Sequence, residues 1–304
     1  TFFGSTANDA CFNAWLVESG DDSNRGTIEG INAMMPLVSI LVVFGGFMAF
    51  DLNKESSWTW IFLIIGFAVI AIGILGFFLI HETTVKSQDN KSFWNNLLYS
   101  FRPSVMKSNL LLYVVVGAFS IFNISISTFM PYLIIYYEQS LQMANYVLIM
   151  APAIILAAIV TVVFGKLYDQ LGFRRCAYIT LGILMAGYVM LFFFTGTALV
   201  FVGSLLMMSG YLAGMAVFGA KIKGLTPEEK AGLFQGLRIF GQVFIPGIVG
   251  PAIGAFVLRD AQVIVNGDGT TSFLPNRNIF AAAFVVAVLL FVALKVIFRM
   301  GRNG

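Results

Sequence analysis

Three oxygen-bearing side chains recur on one face of the first apolar stretch. Ser5, Asp9 and Asn13 follow the spacing i, i+4, i+8, which places them on one side of an α-helix. A carboxylate, a hydroxyl and an amide oxygen are groups that bind a small cation or hold a proton. Asp9 precedes the loop acid Glu18 by nine residues, so it lies roughly 13 Å deeper at ~1.5 Å per residue. We predict a cation-coupling site here; the alternative is that Asp9 is a packing carboxylate paired with another helix.

A second polar set lies in the apolar segment 109–135 and just beyond it. Asn123 is on one face of this segment, and Tyr132 follows the proline at position 131. Tyrosine suits a sugar, because it offers an apolar ring face and a hydroxyl. We predict that Asn123 and Tyr132 contact substrate. For Tyr136 and Tyr137 we favour a place in the outer aromatic belt of a membrane protein.

A third set opens the apolar segment that begins near Ala231. Gln235, Arg238 and Gln242 follow the spacing i, i+3, i+7 and therefore share one helix face. We predict that Gln242 and Arg238 contact substrate. For Arg238 the alternative is an interfacial anchor or a latch to an acid of the preceding loop.

Enzyme chemistry finds no support in the sequence. The single histidine, His81, lies at the end of an apolar run, the sequence has no metal-ligand cluster, and dense carboxylates occur only in loops. We therefore predict that the protein is not an enzyme and takes no cofactor apart from a coupling ion, Na⁺ or H⁺.

The amino-acid composition indicates that the segments carrying these residues lie in a membrane. Hydrophobic residues make up 59% of the 304 residues and charged residues only 11%, which exceeds what a globular protein of this length can bury. A helix needs about 20 apolar residues to cross the hydrocarbon core. The apolar character of residues 1–17 predicts part of one membrane span. Eight longer apolar segments predict full spans: 31–50, 58–80, 109–135, 143–165, 176–194, 198–220, 237–258 and 278–298.

The loop GKLYDQLGFRR, residues 165–175, joins two of these spans and combines turn glycines with charge. Gly165 and Gly172 permit tight turns, Asp169 can face a helix N-terminus, and Arg174 and Arg175 can hold the loop at the membrane surface. We predict that these five residues form a conformational latch. Asp169 should lie at the start of the helix that begins near Ala231 and stabilise the outward-open state.

The distribution of basic residues predicts the orientation of the chain. If the loop 165–175 is cytoplasmic, only Lys54, Arg259 and Arg277 of the 18 lysines and arginines fall outside, in keeping with the positive-inside rule. The net charge of +3 is therefore explained by the orientation of the chain in the membrane, and it does not indicate nucleic acid binding. We expect an integral protein of the plasma (inner) membrane, with the C-terminus cytoplasmic. A small external hairpin is predicted at 263–273, around Asn266-Gly267-Asp268-Gly269.

Two short segments repeat the same frame. GTIEGI at 26–31 and GLFQGL at 232–237 share Gly, any residue, an apolar residue, Glu or Gln, Gly and an apolar residue, and each opens an apolar helix. The pattern G-x-x-x-D-x-x-G-x-R-R at 165–175 resembles the signature loop of major facilitator superfamily transporters. That family is built from six plus six helices, with substrate bound between the halves.

The resemblance implies an all-α major facilitator fold that lacks about the first three helices. Residues 1–80 would be the remainder of the N-terminal half, 81–108 the central cytoplasmic linker and 109–304 the C-terminal six-helix half. Residues 8–26 also resemble the fourth helix of the glycoside, pentoside and hexuronide cation symporters. Those proteins use helix acids for Na⁺ or H⁺ and an aromatic residue for the sugar, roles that the resemblance gives to Asp9 and Trp15.

The sequence thus predicts a cation-coupled symporter for a sugar or glycoside, monomeric and solvated by lipid. One alternative is a proton-coupled exporter of amphipathic compounds. The segment PGIVGPAIG at 246–254 resembles the Gly-Pro kink of drug antiporters, but those carry it in the fifth helix, which here has no such motif. The other alternative is a transporter-like receptor or lipid-handling protein without ion coupling.

Overall fold

The computed structural model describes residues 12–13, 15–16, 21, 23–35, 50, 54–79, 98–143, 146–227, 230–265 and 271–300. Helices dominate these residues. Their bounds are α1, 25–35; α2, Glu55–Leu79; α3, Pro103–Ser108; α4, Leu110–Phe129; α5, Leu133–Ile135; α6, Tyr146–Phe193; α7, Thr197–Leu225; α8, Ala231–Ile239; α9, Ile245–Val257; and α10, Asn278–Met300. Three single-turn segments continue these helices. Met130–Tyr132 joins α4 to α5, Tyr136–Ser140 follows α5, and Phe240–Phe244 joins α8 to α9.

The long helix α6 contains two membrane spans. Its 48 residues would extend about 72 Å as one helix, more than twice the hydrocarbon thickness. Gly172 breaks the helix with φ of 76° and ψ of 171°, a conformation that residues with a Cβ avoid. The predicted turn at Gly172 is confirmed. The turn predicted at Gly165 is wrong, because that residue is helical.

Six helices in the described part of the chain are long and apolar enough to cross a membrane: Ser56–Leu79, Leu110–Ser140, Met150–Phe193, Thr197–Leu225, Ala231–Val257 and Asn278–Met300. Because Met150–Phe193 holds the predicted spans 143–165 and 176–194, these helices account for every predicted full span except 31–50. Most of that span lies outside the described residues. The predicted polytopic helical fold is therefore confirmed.

The chain divides into two compact units, one of residues Thr1–Met34 with Lys91–Gly304 and one of Met35–Asn90. The described part of the second unit is essentially α2. Almost all of its apolar side chains are exposed, including Phe67 and Phe77, as expected for a helix with a mean hydropathy of 2.9 in lipid. The domain bounds predicted from the sequence stay a prediction.

Small residues let α6 and α7 cross in close contact. A Cβ on Gly187 would overlap the backbone of Met207, and a Cβ on Gly210 would overlap the backbone of Leu184. Small residues at such crossings are how membrane helices gain packing energy, since lipid supplies no hydrophobic drive between them. The second half of α6 is thereby fixed against α7.

Aromatic and hydroxyl side chains complete the core between α4 and its neighbours. Phe119, Phe122 and Phe218 pack ring against ring, with centroids 5.5–6.3 Å apart. Ser125 Oγ donates to the carbonyl of Ala283 in α10 at 2.8 Å and lies 3.0 Å from the hydroxyl of Tyr188 in α6. These bonds satisfy polar groups that lipid could not.

The π-helical turn Tyr136–Ser140 ends the span that begins at Leu110. Tyr136 and Tyr137 are both buried here, and the Tyr137 hydroxyl lies 2.7 Å from Ser204 Oγ in α7. The prediction that these two residues lie in the outer aromatic belt is therefore wrong. The extra residue of a π-turn rotates the helix face, and the rings face α7 and α10.

The hairpin predicted at 263–273 is confirmed in its two strands. Val263–Val265 (β1) pairs antiparallel with Thr271–Phe273 (β2), with Val263 opposite Phe273. The Gly-rich turn between the strands lies outside the described residues.

Candidate functional site

A capping arrangement in the sequence sets the start of α1. Asp21 Oδ1 accepts the backbone N–H groups of Ser23 and Asn24, while Asn24 Oδ1 accepts the N–H of Asp21. Reciprocal bonds of this kind satisfy the unpaired N–H groups of a helix start. Donation by the Ser23 hydroxyl and N–H holds the pKa of the exposed Asp21 carboxyl below its ordinary value. Because the pKa is depressed, this stabilisation is complete above about pH 4 and is lost as pH falls further.

Asp169, at the end of the first half of α6, binds the first turn of α1. Its Oδ1 accepts the N–H of Gly26 at 2.7 Å, and its Oδ2 accepts the N–H of Thr27 at 3.0 Å and the Thr27 hydroxyl at 2.6 Å. A carboxylate here meets both the unpaired N–H groups and the positive end of the helix dipole. Asp169 does face the start of a helix, as predicted. The predicted partner was the wrong helix, because Asp169 binds α1 and not the helix beginning at Ala231.

The same two helices are in backbone contact one turn further along. A Cβ on Gly165 would lie 2.5 Å from the carbonyl oxygen of Gly26 and 3.2 Å from Cα of Gly30. A Cβ on Gly30 would lie 3.1 Å from the carbonyl oxygen of Thr161. Gly165 therefore serves close helix approach instead of a turn.

A buried ion pair joins α1 to α7. Lys223 Nζ donates to Glu29 Oε1, with side chains only 3% and 6% exposed. Two glycines of α7 leave space for side chains of α1. A Cβ on Gly219 would lie 2.5 Å from Glu29 Oε2, and a Cβ on Gly224 would lie 3.1 Å from Nη1 of the neighbouring Arg25. Charges so deeply buried are stable only together.

These contacts form one cluster, which we call the α1 junction and define as Gly26, Thr27, Glu29, Gly30, Gly165, Asp169 and Lys223. Sequence analysis found its α6 members but missed the Glu29–Lys223 pair. Glu29 had counted only as the fourth position of the repeated frame, and Lys223 only as a basic residue at a span end. The sequence carries no clear signal for this pair, because Lys223 lies in the last turn of the helix Thr197–Leu225, where a lysine ordinarily extends to the membrane surface.

The two arginines of the predicted latch are exposed beyond the turn at Gly172. The Arg174 guanidinium lies 5.3 Å from the ring centroid of Phe298 in α10, within cation–π range. Arg174 thus contacts the end of α10 and not α1. The role of Arg174 and Arg175 in a latch stays a prediction.

The candidate substrate residues of α4 and its extension are held by backbone carbonyls. The Asn123 amide donates to Phe119 at 2.8 Å, and Asn123 is buried. The Tyr132 hydroxyl donates to Pro251 in α9 at 3.2 Å, and its ring lies where a Cβ on Gly254 would be. Tyr132 therefore ties α4 to α9, and the substrate role of both residues stays a prediction.

The structure brings together two of the residues predicted on the polar face of α8, and their substrate role stays a prediction. Arg238 Nε donates to Gln242 Oε1 at 3.1 Å across the start of the π-helical turn Phe240–Phe244. Gln235 is buried one turn earlier. A pocket combines this face with the end of α7, and it is lined by Leu112, Val116, Ile222, Lys223, Thr226, Phe234, Gln235, Leu237 and Arg238.

The first apolar stretch is described only in part. Asn13 and Leu16 are buried, whereas Phe12 and Trp15 are exposed with ring centroids 6.0 Å apart. Asn13 and Trp15 thus lie on different sides of the stretch. Ser5 and Asp9 lie outside the described residues.

The family model described as Major Facilitator Superfamily matches residues 2–251. No curated protein matches the chain.

Proposed function

Given that the chain belongs to the Major Facilitator Superfamily, and so is an integral membrane transporter of small molecules, we propose that it symports a sugar or glycoside with a cation by alternating access. The α1 junction is the observation that supports its central part, alternating access. The coupling ion is Na⁺ or H⁺, and the protein works as a monomer without catalytic activity.

The α1 junction acts as the cytoplasmic gate in this proposal. The repeat GTIEGI and GLFQGL gives α1 to the N-terminal half, whereas α6 and α7 belong to the C-terminal half. Asp169 and Lys223 therefore hold α1 to the opposite half, at the end that the basic residues predict to be cytoplasmic. While these contacts are made, the route to the cytoplasm is shut, and the substrate site can open only to the other side.

The cation-coupling part of the proposal rests on the first apolar stretch. Asn13 is buried, and the sequence spacing gives Asp9 and Ser5 the same helix face. Oxygen ligands on one helix face suit Na⁺, and a carboxylate alone suits H⁺. A charged group at that depth in the membrane is energetically unfavourable, so its presence indicates a functional role.

The sugar assignment rests on the groups available to a substrate. Asn123 and Gln242 offer amides, Tyr132 and Trp15 offer ring faces, and Arg238 is the only cation among these predicted substrate residues. Amide and aromatic groups pair well with sugar hydroxyls and ring faces. This set suits a neutral or singly anionic sugar.

The test is Asp9→Asn in the full-length protein, reconstituted in vesicles with an imposed Na⁺ or H⁺ gradient. We expect concentrative uptake of labelled glycoside to be abolished, while downhill exchange continues, because the substrate contacts lie elsewhere. Asp260→Asn is the matched control, since Asp260 is exposed and pairs only locally with Arg259. Unimpaired accumulation by Asp9→Asn would remove Asp9 from the mechanism, and export of lipophilic cations alone would favour the exporter.

A further inference from the structure

Basic and aromatic side chains meet where the second half of α6 packs against the end of α10. The Arg174 guanidinium lies 5.3 Å from the ring centroid of Phe298. The ring centroid of Tyr178, one turn after Arg174, lies 5.6 Å from that of Phe298 and 6.1 Å from that of Phe291. These contacts align the start of the second half of α6 with the last turns of α10.

Three basic side chains lie at this end of the two helices. Lys295 lies between Phe291 and Phe298 at the spacing i, i+4, i+7, so it shares their helix face, and Arg299 follows it by one turn. Lys295, Arg299 and Arg174 are exposed, and none of them forms an ion pair within the described part of the chain. The α6–α10 surface is defined as Arg174, Tyr178, Val288, Phe291, Lys295, Phe298 and Arg299.

Positive charge at the α6–α10 surface is not balanced by a nearby acid. Lys295 and Arg299 are one turn apart, and like charges at that spacing repel each other. Asp169, the acid closest to Arg174 in sequence, is engaged at the start of α1. An anion here is attracted by three cations at once, and the planar guanidinium groups of the two arginines match the oxygens of a phosphate.

The same helix face is apolar one turn further into the membrane. Val288, Phe291 and Lys295 follow the spacing i, i+3, i+7, and both apolar residues are exposed. Phe291 lies roughly 6 Å from Lys295 along the helix at ~1.5 Å per residue. A ligand that places an anionic group on Lys295 therefore places its next atoms on an apolar surface, and this favours a lipid over a soluble anion.

We propose that the α6–α10 surface binds one phospholipid with an anionic headgroup. Arg174, Lys295 and Arg299 bind the phosphate, while Val288 and Phe291 contact the acyl chains. The distribution of basic residues predicts that this end is cytoplasmic, where anionic lipids attract basic segments next to a membrane span. The lipid links α6 to α10 within the C-terminal half, so its binding does not depend on the α1 junction.

The experiment measures phospholipid binding to the full-length protein in detergent by native mass spectrometry, with phosphatidylglycerol and phosphatidylcholine of the same acyl chains. Phosphatidylglycerol should bind at one site, at least about tenfold more tightly than phosphatidylcholine. Arg174→Gln and Lys295→Gln should each weaken phosphatidylglycerol binding by about fivefold, because one basic side chain near an anionic headgroup contributes a factor of that size. Phosphatidylcholine binding should not change.

Two further variants separate a defined site from diffuse surface charge. Arg175→Gln is the matched control, because Arg175 is the equally exposed neighbour of Arg174 and makes no ring contact with a described residue. It should change phosphatidylglycerol affinity little. Phe298→Leu keeps every charge but removes the ring beside Arg174, and it should weaken phosphatidylglycerol binding by about twofold to fivefold.

Glycerophosphoglycerol, the same headgroup without acyl chains, distinguishes a lipid from a soluble anion. If it binds as tightly as phosphatidylglycerol, the α6–α10 surface is a site for a soluble phosphate diester and the lipid assignment is overturned. Equal binding of phosphatidylglycerol and phosphatidylcholine would also overturn the proposal. Equal losses in Arg175→Gln and Arg174→Gln would do the same, because they would show attraction by overall surface charge only.

Discussion

Asp169 shows how much a single carboxylate does at the α1 junction. It accepts three hydrogen bonds from Gly26 and Thr27, two of them from backbone N–H groups at the first turn of α1. A negative charge at such a position typically contributes about 0.3–2 kcal/mol. That energy is available only while α1 and α6 are together, so it stabilises the contact between the two helices and not the fold of either one; in the proposed gate it favours the closed cytoplasmic end.

Asp169→Asn should therefore shift the conformational equilibrium toward the inward-open state. A loss of ~1.4 kcal/mol corresponds to about a tenfold shift. Cysteine labelling at cytoplasmic-side cavity positions should rise and labelling from outside should fall. Thr27→Val, which removes the hydroxyl donor but leaves both N–H groups, should act in the same direction and less strongly. If labelling is unchanged on both sides, the loop 165–175 is a topological anchor only.

At the scale of elements, the crossing of α1 and α6 depends on glycine. The nearest atoms to a Cβ on Gly165 belong to Gly26 and Gly30, all of them in α1. Gly165 is therefore needed for the close contact with α1.

Gly165→Ala should leave the protein folded and prevent tight closure of the cytoplasmic end. Alanine favours a helix over glycine by up to about 1 kcal/mol, so α6 itself should gain stability. Labelling of cytoplasmic cysteines should increase and uptake should slow. The matched control is Gly182→Ala, also in α6, where a Cβ has no neighbour within 4 Å. The same slowing in both variants would mean that helix stiffness, and not the crossing, is responsible.

At the scale of the whole molecule, membership of the Major Facilitator Superfamily and the membrane helices make this an integral membrane transporter. Orientation is a separate question, and the distribution of basic residues predicts it. Arg175 and Arg259 are separated by the second half of α6, by α7 and by the span Ala231–Val257. Three crossings put them on opposite sides of the membrane.

Arg259→Cys should be labelled by an impermeant maleimide on intact cells, and Arg175→Cys only in inside-out vesicles. Both arginines are exposed, so each cysteine should be reachable from its own side. The background carries Cys11→Ser and Cys176→Ser to remove the native thiols. Labelling of both variants from the same side would refute the predicted topology.

The sequence by itself determined what depends on short stretches of chain. Length and hydropathy predicted the membrane helices, because each span must satisfy its own backbone hydrogen bonds in lipid. The turn at Gly172 and the two strands at 263–273 followed from local backbone preferences.

Only the tertiary structure decided which helices meet. GTIEGI and GLFQGL offer Asp169 two similar helix starts, which differ in the hydroxyl donor of Thr27 that Leu233 lacks; the fold places α1 there. Glu29 and Lys223 are 194 residues apart, and their pairing, like the approach of Gly165 to Gly26, exists only where α1 lies against α6 and α7. The burial of Tyr136 and Tyr137 has the same cause, since a π-turn and the neighbouring helices set which way the rings face. Contacts between distant segments depend on the packing of the whole bundle, and that packing is not encoded in the spacing of any one segment.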